Sequence, residues 1–171
     1  MLLQDGGVCF AMVGQMYLPE VIKSFPENWE YLWTGCFEQR QMNGAIWPRG
    51  ISTGWKPLLI YGKAFSKFKP WKYDVIGCAG GYTKPKEFHE WGQADDQFRT
   101  LVDRFEVQGS VMDPFMGTCT TGIVCVNRGI QFYGVDNDER AFDISCQRIS
   151  EAQNIACERI ENAQRQQRMF V

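Results

Sequence analysis

Asp113-Pro114-Phe115-Met116-Gly117-Thr118-Cys119-Thr120-Thr121-Gly122 is the stretch whose reading decides the fold. In front of it, Ser110-Val111-Met112-Asp113 reads as a short strand. Behind it, Thr121 to Arg128 is helical in character, and Gln131 to Asp136 reads as a second strand. A strand, a sharp turn, a helix and another strand in that order imply a parallel pair. Such a turn sets backbone N–H groups beside a ligand at the carboxyl end of the first strand. Gly117 lets the backbone approach that ligand closely, and Thr120 and Thr121 are the expected helix caps. Asp136 ends the second strand, about 20 residues beyond the glycine turn, where a carboxylate is placed to bond ribose hydroxyls. A dinucleotide site would call for G-x-G-x-x-G, which this turn lacks, so a different Rossmann-like nucleotide binder fits less well.

Working outward, Ala94 to Phe105 has Phe98, Leu101, Val102 and Phe105 at the spacing of one buried helical face. A long helix is predicted from near Asp138, with Asp138 as its cap. Its stripe is read as Phe142, Cys146, Ile149, Ala152 and Ala156, and its Arg/Glu pattern as a solvated face. Toward the N-terminus, Val8 to Val13 and Pro57 to Gly62 read as buried strands, the second with Pro57 at its first position. Leu18 to Phe25 is a short helix stopped by Pro26, and Glu30 to Phe37 is an aromatic, β-prone strand. Residues 39–55 carry Gly44, Pro48, Gly50 and Gly54 and read as a loop.

The 171 residues are 44% apolar and 22% charged, values of an ordinary globular chain with enough length for a core. The start lacks a signal peptide's basic and apolar regions, and a cytoplasmic protein is expected, with no membrane span. Seven cysteines (Cys9, Cys36, Cys78, Cys119, Cys125, Cys146, Cys157) form no CxxC pair and there is one histidine, which argues against zinc. They are read mostly as small buried residues in a reducing compartment. The net charge of −2 hides an asymmetry: residues 56–86 hold seven lysines against Asp74, so this stretch is +6 and the remainder −8. A phosphate-contacting surface needs such a patch, though by charge alone a solvated loop explains it equally well.

The Asp-Pro-Phe-Met-Gly-Thr-x-Thr-Thr-Gly run, with Gly134-Val135-Asp136-Asn137-Asp138 after it, resembles the methyl-donor motif of the amino-group (N6-adenine/N4-cytosine) DNA methyltransferases, usually DPFxGxGTT. The departure is Cys119, which stands at the second glycine. In the permuted order of that family a helix with a further donor-contacting motif, close to HPxQKP, precedes DPF. Phe88-His89-Glu90-Trp91-Gly92-Gln93 occupies this place as a partial match. Gly54 to Lys63 and the Asp5-Gly6-Gly7-Val8 segment also resemble family segments, so the likeness covers most of the chain. It implies an α/β, Rossmann-like S-adenosylmethionine-dependent methyltransferase fold forming one domain over 1–171, with a basic loop over 64–92 and a donor-binding half over 93–160. It implies S-adenosyl-L-methionine as cofactor, held by Asp113, Pro114, Phe115, Gly117, Thr118, Thr120, Thr121 and Asp136, with His89, Trp91 and Gln93 as further contacts. It implies double-stranded DNA as partner. Lys63, Lys67, Lys69, Lys72, Lys84 and Lys86, interleaved with Phe65, Phe68, Trp71, Tyr73 and Tyr82, are the candidate DNA contacts.

The family's amine-orienting motif, [D/N/S]-P-P-[Y/W/F], has no match, because every proline stands alone: Pro19, Pro26, Pro48, Pro57, Pro70, Pro85, Pro114. In the permuted order this motif and its strand lie upstream of Gly6-Gly7, and an incomplete sheet is expected without them. Unpaired buried backbone groups cost about 1–3 kcal/mol each. Three readings follow: a truncated product, a second polypeptide that supplies the missing strand and motif, or a reduced, inactive domain that still binds donor or DNA.

Overall fold

Leu58, Leu59, Ile60 and Tyr61 are consecutive and all buried, which a strand achieves only when both of its faces are covered. They belong to a central strand. In this computed structural model, which describes residues 3–38, 50–51, 53–77 and 95–169, the chain divides into two compact units, Met1–Tyr82 and Thr83–Val171.

In the first unit, strand β1 (Val8–Met12) is followed by a 3-10 turn (Gln15–Tyr17), helix α1 (Leu18–Ser24) and strands β2 (Glu30–Glu38), β3 (Trp55–Gly62) and β4 (Val75–Ile76). The sheet order is β1-β3-β2-β4. β1 pairs antiparallel with β3 from Val8↔Gly62 to Met12↔Leu58. β2 pairs antiparallel along the other side, with an irregularity between Tyr31 and Trp33. α1 starts with Pro19 in its first turn, where no N–H is needed. Phe25, just past it, stacks on Tyr61 with ring centroids 3.9 Å apart.

Two expectations change here. Pro57 is the third residue of β3, not the first, because Phe37 and Glu38 extend β2 to pair with Lys56 and Trp55. β4 lies in the stretch read as irregular. It has two residues, too few for any period, and forms because the Asp74 carbonyl accepts the Cys36 N–H at 2.8 Å.

In the second unit, helix α2 (Asp95–Arg104), strand β5 (Ser110–Asp113), helix α3 (Thr120–Val126), strand β6 (Gln131–Gly134) and helix α4 (Glu139–Met169) follow in turn. β5 and β6 are parallel and in register from Ser110↔Gln131 to Asp113↔Gly134. Burial alternates along both strands, with Val111 and Phe132 more covered than Met112 and Tyr133. Leu101 and Val102 of α2 and Phe105 just beyond it are buried, and Phe98 is half-buried, as their spacing predicts. The stripe on α4 departs in part from the expected one. Of the expected residues Ala152 is buried and Ile149 and Ala156 are half-buried, whereas Phe142 and Cys146 are exposed and Ala141 and Ser145 are buried in their place. Small residues let the helix lie close at these positions. The cysteines are likewise mixed: Cys119 and Cys125 are buried, Cys9 and Cys36 half-buried, Cys146 and Cys157 exposed.

Among the described residues β1 ends one sheet and β5 pairs only with β6, in keeping with an incomplete sheet. No described helix is long and apolar enough to cross a membrane.

Candidate donor-binding site

The turn from Asp113 to Cys119 lies at the carboxyl end of β5, where parallel sheets place their ligands. Asp113 clasps it from within. Its Oδ1 accepts the Phe115 N–H at 3.0 Å and its Oδ2 accepts the Thr121 hydroxyl at 2.9 Å. The Met116 N–H reaches the Val135 carbonyl at 3.1 Å, and the Cys119 N–H closes onto the Met116 carbonyl at 2.8 Å. Gly117 has φ +51°, a left-handed conformation, and a side chain there would meet open space. The Gly117 N–H donates to Asp136 Oδ2 at 2.7 Å, while Asp136 Oδ1 accepts the Asp138 N–H at 3.0 Å. The acid beyond β6 is thus tied to the glycine turn beyond β5. Two backbone amides thus orient the Asp136 carboxylate.

Cys119 is also left-handed, at φ +66°, and serves as the N-terminal boundary residue of α3 without a side-chain cap. The glycine of the resembling motif would occupy this conformation without strain. Burial pushes the Cys119 thiol up to about 11, with the Asp113 carboxylate adding to the effect and a Gly122 amide bond opposing it. Such a thiol is poorly nucleophilic, which argues against a reactive cysteine at this position. Thr120 and Thr121 lie inside the first turn of α3 and do not cap it. Thr121 spends its hydroxyl on Asp113 instead. Asp138 does cap α4, accepting the Arg140 and Ala141 amides at 2.9 and 3.2 Å.

Phe115 is 87% exposed and has no core role. Pro114 is exposed, Thr118 buried and Thr120 half-buried. Asp113, Pro114, Phe115, Gly117, Thr118, Thr120, Thr121 and Asp136 therefore lie together along one turn and the end of the adjoining strand. His89, Trp91 and Gln93 lie outside the described residues, as do Lys84, Lys86 and Tyr82.

Two contributors from α4 are absent from the sequence reading. The Ser145 hydroxyl donates to the Gly117 carbonyl at 2.8 Å, and Arg148 Nη1 donates to the Thr118 carbonyl. Arg148 thus departs from the expected solvated face. No sequence signal marks it, because its partner is a backbone carbonyl of a distant loop. A shallow cleft of about 510 Å³ lies at the opposite, amino end of β5, lined by Val102, Asp103, Gly109 and Arg128 among others. Its charged pair is satisfied internally, Arg128 Nη2 to Asp103 Oδ2 at 2.5 Å, and none of the turn's residues reaches it.

In the first unit Lys63 is paired with Asp5 at 2.9 Å. Lys67 and Lys69 are exposed and Lys72 is half-buried. Trp71, between them, is 99% exposed. The Phe65 and Phe68 rings sit 4.6 Å apart and anchor the start of this segment.

No protein-family model matches the sequence, and no curated protein does. Solved structures do. An M1.HpyAVI–SAM complex is similar at TM-score 0.68 and 17% identity, over 86% of this chain and 77% of that one. TTHA0409 of Thermus thermophilus, provisionally described as a DNA modification methylase and complexed with S-adenosyl-L-methionine, is similar at TM-score 0.65 and 19% identity. That likeness covers 88% of this chain and 72% of TTHA0409. The fold is that of an S-adenosylmethionine-dependent methyltransferase. In this methyltransferase fold the turn at Asp113–Gly122 and the acid at Asp136 stand where a parallel sheet receives its ligand.

Proposed function

We propose that this chain binds S-adenosyl-L-methionine at the Asp113–Gly122 turn and serves methyl transfer to the exocyclic amine of adenine (N6) or cytosine (N4) in double-stranded DNA. The observation that carries the reading is the bond from the Gly117 N–H to Asp136 Oδ2. It fixes a carboxylate, a left-handed glycine and open space at one place. The residues fit such a donor. Asp136 is oriented to accept ribose hydroxyls, Gly117 leaves room for close approach, and exposed Phe115 offers an apolar surface. Asp113 holds the turn's shape through Phe115 N–H and Thr121. When bound, S-adenosylmethionine supplies an electrophilic methyl group. His89 and Gln93 are further donor contacts in this reading, and the lysines over 64–92 bind the DNA backbone, with 1–171 acting as one methyltransferase domain.

A second reading is a chain that binds donor or DNA and depends on another polypeptide, or on nothing further, because the 171 residues hold no Pro-Pro dipeptide to orient the amine. Titration calorimetry of the full chain with S-adenosylmethionine, S-adenosylhomocysteine and NAD tests the donor site. Binding of the first two and not of NAD is expected, and the reverse pattern sinks the proposal. Transfer of a labelled methyl group to unmethylated DNA separates the readings. Donor binding without transfer, restored by a polypeptide carrying [D/N/S]-P-P-[Y/W/F], supports the second.

A further inference from the structure

Between Phe115 and Cys119 all the amides but one are committed. Phe115 N–H goes to Asp113, Met116 N–H to the Val135 carbonyl, Gly117 N–H to Asp136 and Cys119 N–H to the Met116 carbonyl. The Thr118 N–H meets no acceptor among the described residues. Its direction is nonetheless fixed. In a trans peptide the C=O and the following N–H point opposite ways. The Gly117 carbonyl faces α4, where Ser145 Oγ donates to it at 2.8 Å, so the Thr118 N–H faces away from α4. The Thr118 carbonyl is held on the same side by Arg148.

Neither α4 contact is what a helix needs for itself. Mid-helix serines usually satisfy themselves on the carbonyl four residues back. Ser145 has one hydroxyl proton and shares it between the Ala141 carbonyl at 2.7 Å and the Gly117 carbonyl, in a loop 28 residues earlier, at 2.8 Å. It is 1% exposed. Arg148, three residues on, shares its helix face and takes the next carbonyl of the loop.

We infer that Ser145 and Arg148 are positioning residues. By holding the Gly117 and Thr118 carbonyls on the α4 side, they present the Thr118 N–H as a hydrogen-bond donor to an oxygen acceptor of bound S-adenosylmethionine. This rests on the donor-binding reading above. It extends the site to a helix face more than twenty residues beyond the turn in sequence.

The test uses the full chain and four proteins: wild type, Ser145→Ala, Arg148→Ala and Arg148→Lys. Titration calorimetry with S-adenosylmethionine gives affinity. Thermal melting without ligand gives stability. Amide ¹⁵N–¹H spectra follow Thr118. The Thr118 resonance shifts when wild type binds the donor. Arg148→Ala and Ser145→Ala each weaken binding about tenfold, the loss of roughly one hydrogen bond's worth of affinity. Arg148→Lys, which keeps a donor, recovers part of it. If Ser145→Ala does not fold, the Arg148 pair decides alone. Wild-type binding with both Arg148 variants within about twofold, or a Thr118 amide unmoved at saturation, overturns the inference and leaves the donor reading intact. No binding by wild type overturns both.

Discussion

Cys119 stands in a left-handed conformation that costs an L-residue roughly 1–2 kcal/mol. Its sulfur fills the space over Gly122. A Cβ built on Gly122 falls 2.3 Å from Cys119 Sγ and 2.7 Å from the Phe132 ring. Gly122→Ala is therefore expected to destabilise by about 1–3 kcal/mol through overpacking. Cys119→Gly exchanges relief of backbone strain against lost packing, and should stay within about 1 kcal/mol of wild type. The two changes share one contact, so the double variant should be more stable than the sum of the singles by at least about 0.5 kcal/mol. Urea unfolding of the four proteins measures this, and strict additivity would show that the sulfur does not occupy that space. Burial pushes both the Cys119 and the Cys125 thiols up to about 11, against an ordinary value of 9.0. The folded state thus favours the neutral thiol. That contribution is fully present below about pH 9 and is lost as pH rises through about 11. At pH 8 an alkylating reagent followed by peptide mass spectrometry should label exposed Cys146 and Cys157 while Cys119 and Cys125 react only after denaturation. Early labelling of Cys119 would show that the thiol is not buried.

At the scale of elements, β3 carries the first unit because it is paired on both sides. Leu59 is fully buried at its middle. Leu59→Ala is expected to cost about 2–5 kcal/mol, read from the urea midpoint of a folded variant or from failure to fold. A loss under about 1 kcal/mol would mean that β3 is not central. β3 was legible in the sequence because its apolar run is uninterrupted, and α2 because its pattern is periodic. The turn was legible for a different reason: strand, glycine and helix succeed one another within ten residues. What stayed hidden depends on tertiary contact. β4 is a backbone hydrogen bond from Cys36 to Asp74 rather than a pattern. The buried line on α4 starts at Ala141 and Ser145, where residue size decides packing and hydropathy points to the neighbouring Phe142 instead, and only further along does it reach the expected Ala152. Ser145 and Arg148 read as ordinary polar helix residues because their partners are carbonyls of a distant loop, and a carbonyl has no signature in sequence.

At the scale of the molecule, charge is the property that a fold comparison does not reach. The stretch 56–86 is +6 on a remainder of −8, so in the proposed DNA-binding role repulsion by the acidic remainder would compete with attraction of the lysines for phosphate. Lysines that contact phosphate release counterions, and the affinity then falls with salt by a slope of about 0.9 per phosphate contact on double-stranded DNA. Lys67 and Lys69 are exposed on either side of the Phe68 anchor, and Trp71 follows them with its ring open to solvent. Lys63 is partnered with Asp5 and should contribute less. Changing Lys67 and Lys69 together to Gln is expected to reduce the log–log salt slope by about 2 and to weaken binding to every duplex sequence alike. Changing Lys63 to Gln should move the slope by well under 1. Fluorescence anisotropy of a labelled duplex between 50 and 200 mM salt, about the range over which such contacts lose most of their affinity, distinguishes these outcomes. An unchanged slope in the double variant removes these lysines from the DNA contact. A slope lost only with Lys63→Gln would show instead that the Asp5 pair opens to receive the phosphate.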